Sequence, residues 1–307
     1  MTAIIPPGEV AWGLQLPIQS QSWIYCQPWE RSAGPTELAL VAQAADRAGA
    51  LYAAVCDHVA IPTELTDKMS AVWYDTVATI GWLAAQTDRV MLLSHVSVLP
   101  YRHAAITAKA FGTLDLLSGG RVVLGVGAGH VEREFQLLGV DFASRGRTLD
   151  RAIADVRGIF VDGMIDGMVV EPRGVRGGGP PIWVGGSSKP AIRRAAILGD
   201  GWLPQGPPEM GMRAGVEFLL ATRREHHGED VGMDVGIHAG VVHVGEPTWD
   251  VGPDTLTGAT GEIAARLRRA RSIGVNQLQL RFAARTCDEL CDQIERFGTE
   301  IWPEVSA

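Results

Sequence analysis

The fold is decided by the stretch from Arg89 to Gly129, RVMLLSHVSVLPYRHAAITAKAFGTLDLLSGGRVVLGVGAG. Two of its segments, Val90–Leu99 and Arg121–Val126, are apolar at nearly every position, which is typical of parallel strands buried on both faces. Between them, Arg102–Leu117 carries an apolar stripe at helical spacing, and Ser118–Gly120 ends that helix. The stretch therefore predicts two parallel strands joined by a helix, with polar loops at the carboxyl ends of the strands.

The same pattern of apolar strands and amphipathic helices continues on both sides of this unit. Further strands are predicted at Ala11–Pro17, Leu51–Cys56, Pro181–Val184, Gly201–Leu203, Val235–Val244 and Gln277–Phe282. Alternation of this kind implies a parallel sheet, which is either open and doubly wound or closed. Eight strands without a break in composition favour a closed (β/α)8 TIM barrel, as one domain over residues 1–307. Residues 1–10 are expected to be a loose terminus, and 18–35, 59–73, 162–180 and 245–259 to be long loops or insertion segments.

Composition narrows the class of partner. The chain has 307 residues, 46% of them hydrophobic, and a formal net charge of −8. An acidic balance argues against nucleic acid or an anionic membrane as the main partner, because both select basic surfaces. The four cysteines do not suggest a disulfide framework in a chain of this length, and no run of 18 apolar residues occurs. We expect a cytoplasmic protein that acts on a small organic molecule.

Polar and glycine-rich motifs follow several of the predicted strands. Asp57-His58 ends the second strand, and histidine is suited to proton transfer because its unperturbed pKa lies near the working pH. The segment Gly125–His130 is not a dinucleotide fingerprint, since G-x-G-x-x-G would need glycine at His130. Its glycines instead predict a close approach of the backbone to a ligand, or a tight turn. Gly185-Gly186-Ser187-Ser188 precedes a helix, where free N–H groups and the helix dipole favour a phosphate.

Other polar residues point to no site. Cys287 and Cys291 are four residues apart on a predicted helix, but no second pair completes a metal centre, so no metal is predicted. No G-x-S-x-G motif occurs, which disfavours a serine hydrolase. His238 and His243 lie at odd separation on one strand, so they face opposite ways and one of them could line the pocket.

Taken in order, several segments resemble the luciferase-like monooxygenase family, and within it the coenzyme F420-dependent oxidoreductases. The segments are VCDHV at 55–59, residues 98–129, GVDFASRGRTLDRAI at 139–153, PPIWVGGSSKPAIRRAAILGDGWLP at 180–204, and residues 278–297. This resemblance implies a bacterial-luciferase-like (β/α)8 barrel with a long insertion, a cofactor that is not covalently attached, and a homodimer.

The resemblance also implies roles for the residues at the strand ends. His58 would lie over the deazaflavin ring and protonate the substrate, while Asp57 would orient the imidazole, reach the cofactor, or serve the barrel rim. A bulge in the third strand, with a cis peptide bond at His95–Val96, would back the middle ring of the cofactor. The residues expected to hold the cofactor are Asp57, Ser94, His95, Val96, Ala128, Gly129 and, near its phosphate, Gly185, Gly186 and Ser187.

The resulting hypothesis is an F420-dependent oxidoreductase that transfers a hydride between C5 of the deazaflavin and a small organic substrate, in either direction. One alternative is an FMN-dependent two-component monooxygenase of the same fold, because both cofactors carry a phosphate. An alternative of another class is a non-catalytic flavin- or ligand-binding barrel, since fold alone does not establish catalysis.

Overall fold

The computed structural model of the protein describes residues 3–229 and 231–307 and has a closed parallel barrel at its centre. Neighbouring barrel strands follow one another along the chain, and the first strand pairs with the last. The pairing of the fourth with the fifth closes the ring, so the barrel is confirmed and the open sheet is excluded. The strands are β1 (Ala11–Gln15), β2 (Tyr52–Val55), β3 (Met91–Ser94), β4 (Val122–Gly127), β5 (Ile182–Gly185), β6 (Gly201–Leu203), β7 (Asp234–Val242) and β8 (Gln277–Phe282).

Helices surround the barrel and connect its strands, as the alternating pattern predicts. They are α1 (Pro35–Arg47), α2 (Thr76–Ala84), α3 (Ala104–Leu117), α4 (Glu132–Leu138), α5 (Arg145–Asp162), α6 (Lys189–Leu198), α7 (Met212–His227), α8 (Thr260–Arg268), α9 (Cys287–Arg296) and α10 (Trp302–Ser306). None of the helices in the described ranges combines the length and the apolar character needed to cross a membrane.

The strands bury both faces, which explains why they are apolar almost throughout. In β2, Ala53 and Val55 belong to a large cluster of residues between the strands and the helices. Tyr52 and Ala54 belong to a second, smaller cluster with residues such as Trp183 and Leu203, which fills the barrel interior. Successive side chains of a strand point to opposite faces, so each strand contributes to both cores.

Four segments differ from the prediction. The segments predicted as loops at 18–35 and 59–73 contain strands Ser20–Ser22 and Met69–Trp73, which pair antiparallel with each other. The predicted third strand, Val90–Leu99, is interrupted: β3 ends at Ser94, and Ser97–Val98 forms a separate short strand beside β4. The described part of the N-terminus is not loose, because the N–H groups of Ile4 and Ile5 donate to the buried carboxylate of Asp234 at 2.9 and 3.1 Å.

The end of β3 depends on a glycine in the neighbouring strand. A Cβ atom added at Gly125 of β4 would lie 1.9 Å from the carbonyl oxygen of Ser94. The same two residues are joined by a hydrogen bond of 2.8 Å from the Ser94 hydroxyl to the Gly125 carbonyl. A side chain at Gly125 would therefore push the two strands apart.

We predict that Gly125→Ala lowers the free energy of unfolding by about 1–3 kcal/mol, the usual cost of overpacking a core. Urea unfolding followed by circular dichroism measures this change. The matched control is Gly158→Ala in α5, where no described atom lies within 4 Å of the added Cβ. Alanine in a helix should raise stability there by about 0.5–1 kcal/mol. Equal effects of the two substitutions would contradict the steric argument.

Candidate active site

The strand ends bring polar side chains together at one mouth of the barrel. Since all eight strands run parallel, their carboxyl ends share one rim, where active sites of such barrels lie. Polar side chains near the carboxyl ends of the strands contact one another at this rim, namely Gln15, Cys56, His95, Gln205, His238 and Arg281. His95 and Gln205 lie just after β3 and β6, while His238 and Arg281 lie in β7 and β8. The mouth is thus polar above an apolar interior.

The peptide bond between His95 and Val96 is cis, as the resemblance implies. His95 is buried, and its Nε2 accepts a hydrogen bond of 3.1 Å from Nε2 of Gln205. Burial, with His238 and Arg281 nearby, lowers the pKa of His95 to about 3. Burial and Arg281 likewise lower the pKa of His238, whose ring centre is 6.1 Å from that of His95, to about 4. Both imidazoles are therefore neutral at neutral pH.

Val96 lies between two glycines that leave room for its side chain. A Cβ atom at Gly127 would lie 2.4 Å from Cγ2 of Val96, and one at Gly185 would lie 2.7 Å from Cγ1. At Gly129, whose φ is +78°, the space is filled by Val98 and Phe135. Gly127 and Gly129 therefore have side chains of this chain against them, and a close approach of a ligand to this backbone stays a prediction. Contact of Ala128 and Gly129, both partly exposed, with a cofactor stays a prediction.

His58 is held by a glutamate that sequence reasoning missed. Its Nδ1 is 2.8 Å from Oε2 of Glu134 on α4, whose side chain is 1% exposed. A carboxylate accepts, so Nδ1 carries the hydrogen and Nε2 is left to exchange a proton. The glutamate also accepts from the N–H of Val59 at 2.7 Å, the N–H of Ala60 at 3.2 Å and the hydroxyl of Tyr101 at 3.1 Å.

These bonds keep Glu134 ionised. Burial alone would raise its pKa, but the bonds from His58, Val59 and Ala60 outweigh burial and lower the pKa below the ordinary value. The rings of Trp73 and His130 pack edge-on to His58, with ring centres 4.4 and 5.5 Å away. No local sequence pattern indicates this pair, because Glu134 is 76 residues from His58 along the chain.

Asp57 does not orient the imidazole. Its carboxylate accepts two hydrogen bonds from the guanidinium of Arg102, at 2.6 and 2.8 Å, and one from the N–H of Val98 at 2.9 Å. It thereby fastens the end of β2 to the segment between β3 and α3. Of the roles expected for Asp57, orienting His58 is wrong, the rim role describes these contacts, and contact with a cofactor stays a prediction.

The turn after β5 is ordered by the next strand. Ser187 donates its hydroxyl to the carbonyl of Gly206 at 2.6 Å and accepts from the N–H of Gln205 at 2.9 Å. Gly186 has a φ of +111°, and Ser188 caps α6 by accepting from Ala191. Within the described chain, no hydrogen bond engages the N–H groups of residues 187–189, as expected at the start of a helix. The predicted phosphate site is therefore compatible with the turn and stays a prediction.

Acidification should reveal the role of Glu134. Its folded-state pKa is depressed, so its contribution to stability is present above the ordinary value of 4.5 and is lost as the pH falls through the lower folded-state value. At pH 7, Glu134→Ala should lower the free energy of unfolding by about 1–3 kcal/mol, because it leaves several partly buried hydrogen bonds without their acceptor. The difference from wild type should shrink below pH 4.5 in urea titrations. The control is the exposed Glu132→Ala on the same helix, for which a comparable loss would argue against this assignment.

Comparisons with known proteins agree with this geometry. The family model of luciferase-like monooxygenases matches residues 13–251. An uncharacterized protein of Mycobacterium tuberculosis is 33% identical over 185 residues, which cover 54% of this chain and 64% of that protein. The F420-dependent glucose-6-phosphate dehydrogenase of Nocardia farcinica is 30% identical over 55% of this chain and 53% of its own length. The FMNH2-dependent dimethylsulfone monooxygenase of Pseudomonas fluorescens is 26% identical over 54% and 48%.

The matches to these relatives span about half to under two thirds of their lengths. Among solved structures, the coenzyme F420-dependent tetrahydromethanopterin reductase of Methanopyrus kandleri superposes with a TM-score of 0.72 at 17% identity, over 97% of this chain and 99% of that one. Relatives thus include F420-dependent and FMN-dependent oxidoreductases. The family model, which spans well over half of the chain, shows that this protein belongs to the luciferase-like monooxygenase family.

Proposed function

We propose that the protein is an F420-dependent oxidoreductase that acts on a small organic substrate. The observation that carries the proposal is the pair formed by His58 and Glu134, which leaves one imidazole nitrogen free for proton exchange beside the barrel mouth. A carboxylate-oriented histidine is suited to give a proton to a substrate that accepts a hydride, or to remove one in the opposite direction. The likeness to an F420-dependent dehydrogenase supports F420 as the cofactor, and FMN is the alternative, because an FMNH2-dependent relative matches a similar share of the chain.

The residues at the mouth fit a tricyclic redox cofactor. Val96 presents an aliphatic side chain that is partly exposed, and His95 beside it is neutral. The N–H groups at the start of α6 suit a phosphate. In this proposal Ser94, His95 and Val96 lie against the ring, Ala128 and Gly129 beside it, and Gly185, Gly186 and Ser187 near the phosphate, with Asp57 at the rim. When bound, reduced F420 supplies a hydride from its C5, and the protein supplies position and proton transfer.

Titration of the purified protein with F420 and with FMN, followed by absorbance and fluorescence, tests the cofactor. We expect binding of F420 and weaker or no binding of FMN. Binding of FMN alone would favour the two-component monooxygenase instead. Binding of neither would favour a barrel without this redox chemistry.

His58→Gln tests the proton-transfer role, because glutamine can still donate to Glu134 but cannot exchange a proton at neutral pH. With reduced F420 and 2-cyclohexen-1-one as a probe acceptor, we expect kcat to fall by about 10²–10⁴, the usual contribution of a general acid. The dissociation constant for F420 should change little. The matched control is His226→Ala, an exposed histidine at the end of α7. Equal kcat values for His58→Gln and wild type would exclude His58 as the acid.

A homodimer, which the resemblance implies, is also part of this proposal. An apolar groove of about 630 Å³ lies between α2, α3 and the hairpin of Met164–Ile165 with Met168–Val169. Ile106 and Val169 on its walls are 63% and 72% exposed. Contiguous exposed apolar surface of this kind often marks an interface.

Light scattering should therefore give a molar mass of twice 32.9 kDa. Ile106→Glu should shift the mass toward a single chain, because it buries a charge at the contact. Leu137→Glu on α4, an apolar position of similar exposure (65%) that does not line the groove, serves as the control. A wild-type mass of one chain would contradict the proposed dimer.

A further inference from the structure

A second cavity opens beside the barrel mouth, on the side of β7 and β8. It measures about 410 Å³, within the range of small-molecule sites. Aromatic and aliphatic side chains line most of it, among them Tyr25, Trp249 and Val251. Arg281 of β8 lines both this cavity and a smaller one that reaches Gln15 and Ser20. An apolar cavity with a cationic group in its wall suits a molecule with an apolar body and an anionic head.

Arg281 has no carboxylate partner in the described chain. Its guanidinium donates one hydrogen bond, at 2.9 Å, to the side-chain carbonyl of Gln15. The guanidinium carbon lies 3.5 Å from the ring centre of Tyr25, so one face is covered by an aromatic ring. Burial lowers the pKa of Arg281, but arginine stays protonated. The remaining N–H groups of a partly buried cation are left for an acceptor from outside the chain.

The charged groups around Arg281 leave it as the available cation. His95 and His238 face it, and both are neutral at neutral pH because their pKa values are lowered to about 3 and about 4. Glu30, an acidic group in the loop that attracts Arg281, has its oxygens bonded to the N–H groups of Ile18 and Gln27 rather than to the guanidinium, and burial raises its pKa. Arg285 at the cavity rim is already paired with Glu289 through two hydrogen bonds of 3.0 Å. A single available positive charge matches a monoanion better than a phosphate dianion.

The position of Arg281 separates it from the expected phosphate of the cofactor. In a closed ring of eight strands, β8 and β1 lie opposite β4 and β5. Val96 and the turn at Gly185–Ser187 lie on the β4 and β5 side, whereas Arg281 and Gln15 lie on the β8 and β1 side. An anion bound at Arg281 therefore belongs to a molecule that faces the cofactor across the mouth, which is the place of a substrate.

We propose that the substrate is a small organic carboxylate, whose carboxylate binds Arg281 and whose apolar body lies against Tyr25, Trp249 and Val251. That the bound carboxylate is a substrate rests on the proposed function, whereas the carboxylate-binding site at Arg281 does not depend on that function. Arginine recognises a carboxylate through two parallel hydrogen bonds, which fixes the orientation of the bound molecule.

The first test uses the wild-type protein and needs no variant. Calorimetric titrations compare 3-phenylpropanoate with its neutral isostere 3-phenylpropanamide and with phenyl phosphate. We expect the carboxylate to bind on the order of 10- to 100-fold more tightly than the amide, as charge-assisted hydrogen bonds suggest. Equal affinity for carboxylate and amide, or binding of phenyl phosphate alone, would overturn the proposal.

The second test compares arginine variants with the same probe. Arg281→Met should lower the affinity for 3-phenylpropanoate to that of the amide, and Arg281→Lys should restore part of it, because lysine keeps the charge but loses the fork. Arg47→Met is the control: it removes an arginine that has its own carboxylate, Glu295, and lines neither cavity, so it should change affinity less than about twofold. Melting curves identify any variant that fails to fold, in which case the wild-type comparison decides.

Cofactor titration of the same variants shows whether Arg281 binds an anionic group of the substrate or of the cofactor. If Arg281→Met binds F420 and FMN as wild type does, while losing the carboxylate probe, the anion is the substrate's. If it loses cofactor affinity and leaves probe binding unchanged, Arg281 holds the cofactor and the proposal is wrong. If wild type binds neither cofactor but still prefers the carboxylate through Arg281, the redox function fails and the carboxylate site stands.

Discussion

The site depends on how closely the end of β3 approaches β4. With a glycine at position 125, the Ser94 carbonyl can lie where a side chain would otherwise be, and the Ser94 hydroxyl then bonds to the Gly125 carbonyl. From that point the chain turns inward, so that His95 enters the barrel and Val96 fits between Gly127 and Gly185. Glycines at 125, 127 and 185 thus determine where His95 and Val96 lie at the centre of the mouth. Close packing around these residues leaves them little freedom to shift.

Sequence periodicity was sufficient to predict the strands of the barrel but not the short strands and side-chain contacts at its rim. Most strands were found because burial on both faces leaves an apolar run, and the bounds predicted for Gly201–Leu203 and Gln277–Phe282 are the observed ones. The short strands Ser20–Ser22 and Met69–Trp73 have no such run, because each is stabilised by a partner almost fifty residues away. Local patterns carry no information about that pairing.

The assignments around His58 show the same limit. Asp57 is next to His58 in sequence and was therefore a candidate to orient it, but adjacent residues at a strand end point in different directions. Asp57 binds Arg102 instead. The carboxylate that orients His58 belongs to Glu134, which is distant in sequence and lies on α4, the helix that follows β4. By contrast, His58, His95 and Ser187 were found because a closed parallel barrel brings every strand end to one rim.

The distribution of charge at the mouth connects the proposed proton donor, His58, with the proposed substrate. Three acidic groups near the rim are already engaged: Asp57 by Arg102, Glu134 by His58 and two backbone N–H groups, and Glu30 by its own loop. What faces the opening is a cation, two neutral imidazoles and the free nitrogen of His58. A substrate that accepts a hydride gains negative charge, and an opening lined by donors stabilises that charge, whereas an unengaged carboxylate would oppose it. Because Asp57, Glu134 and Glu30 are bonded to other groups, none of them forms a hydrogen bond with Arg281 in the described chain. The bonds that order the rim and the proposed preference for an anionic substrate therefore have the same physical origin.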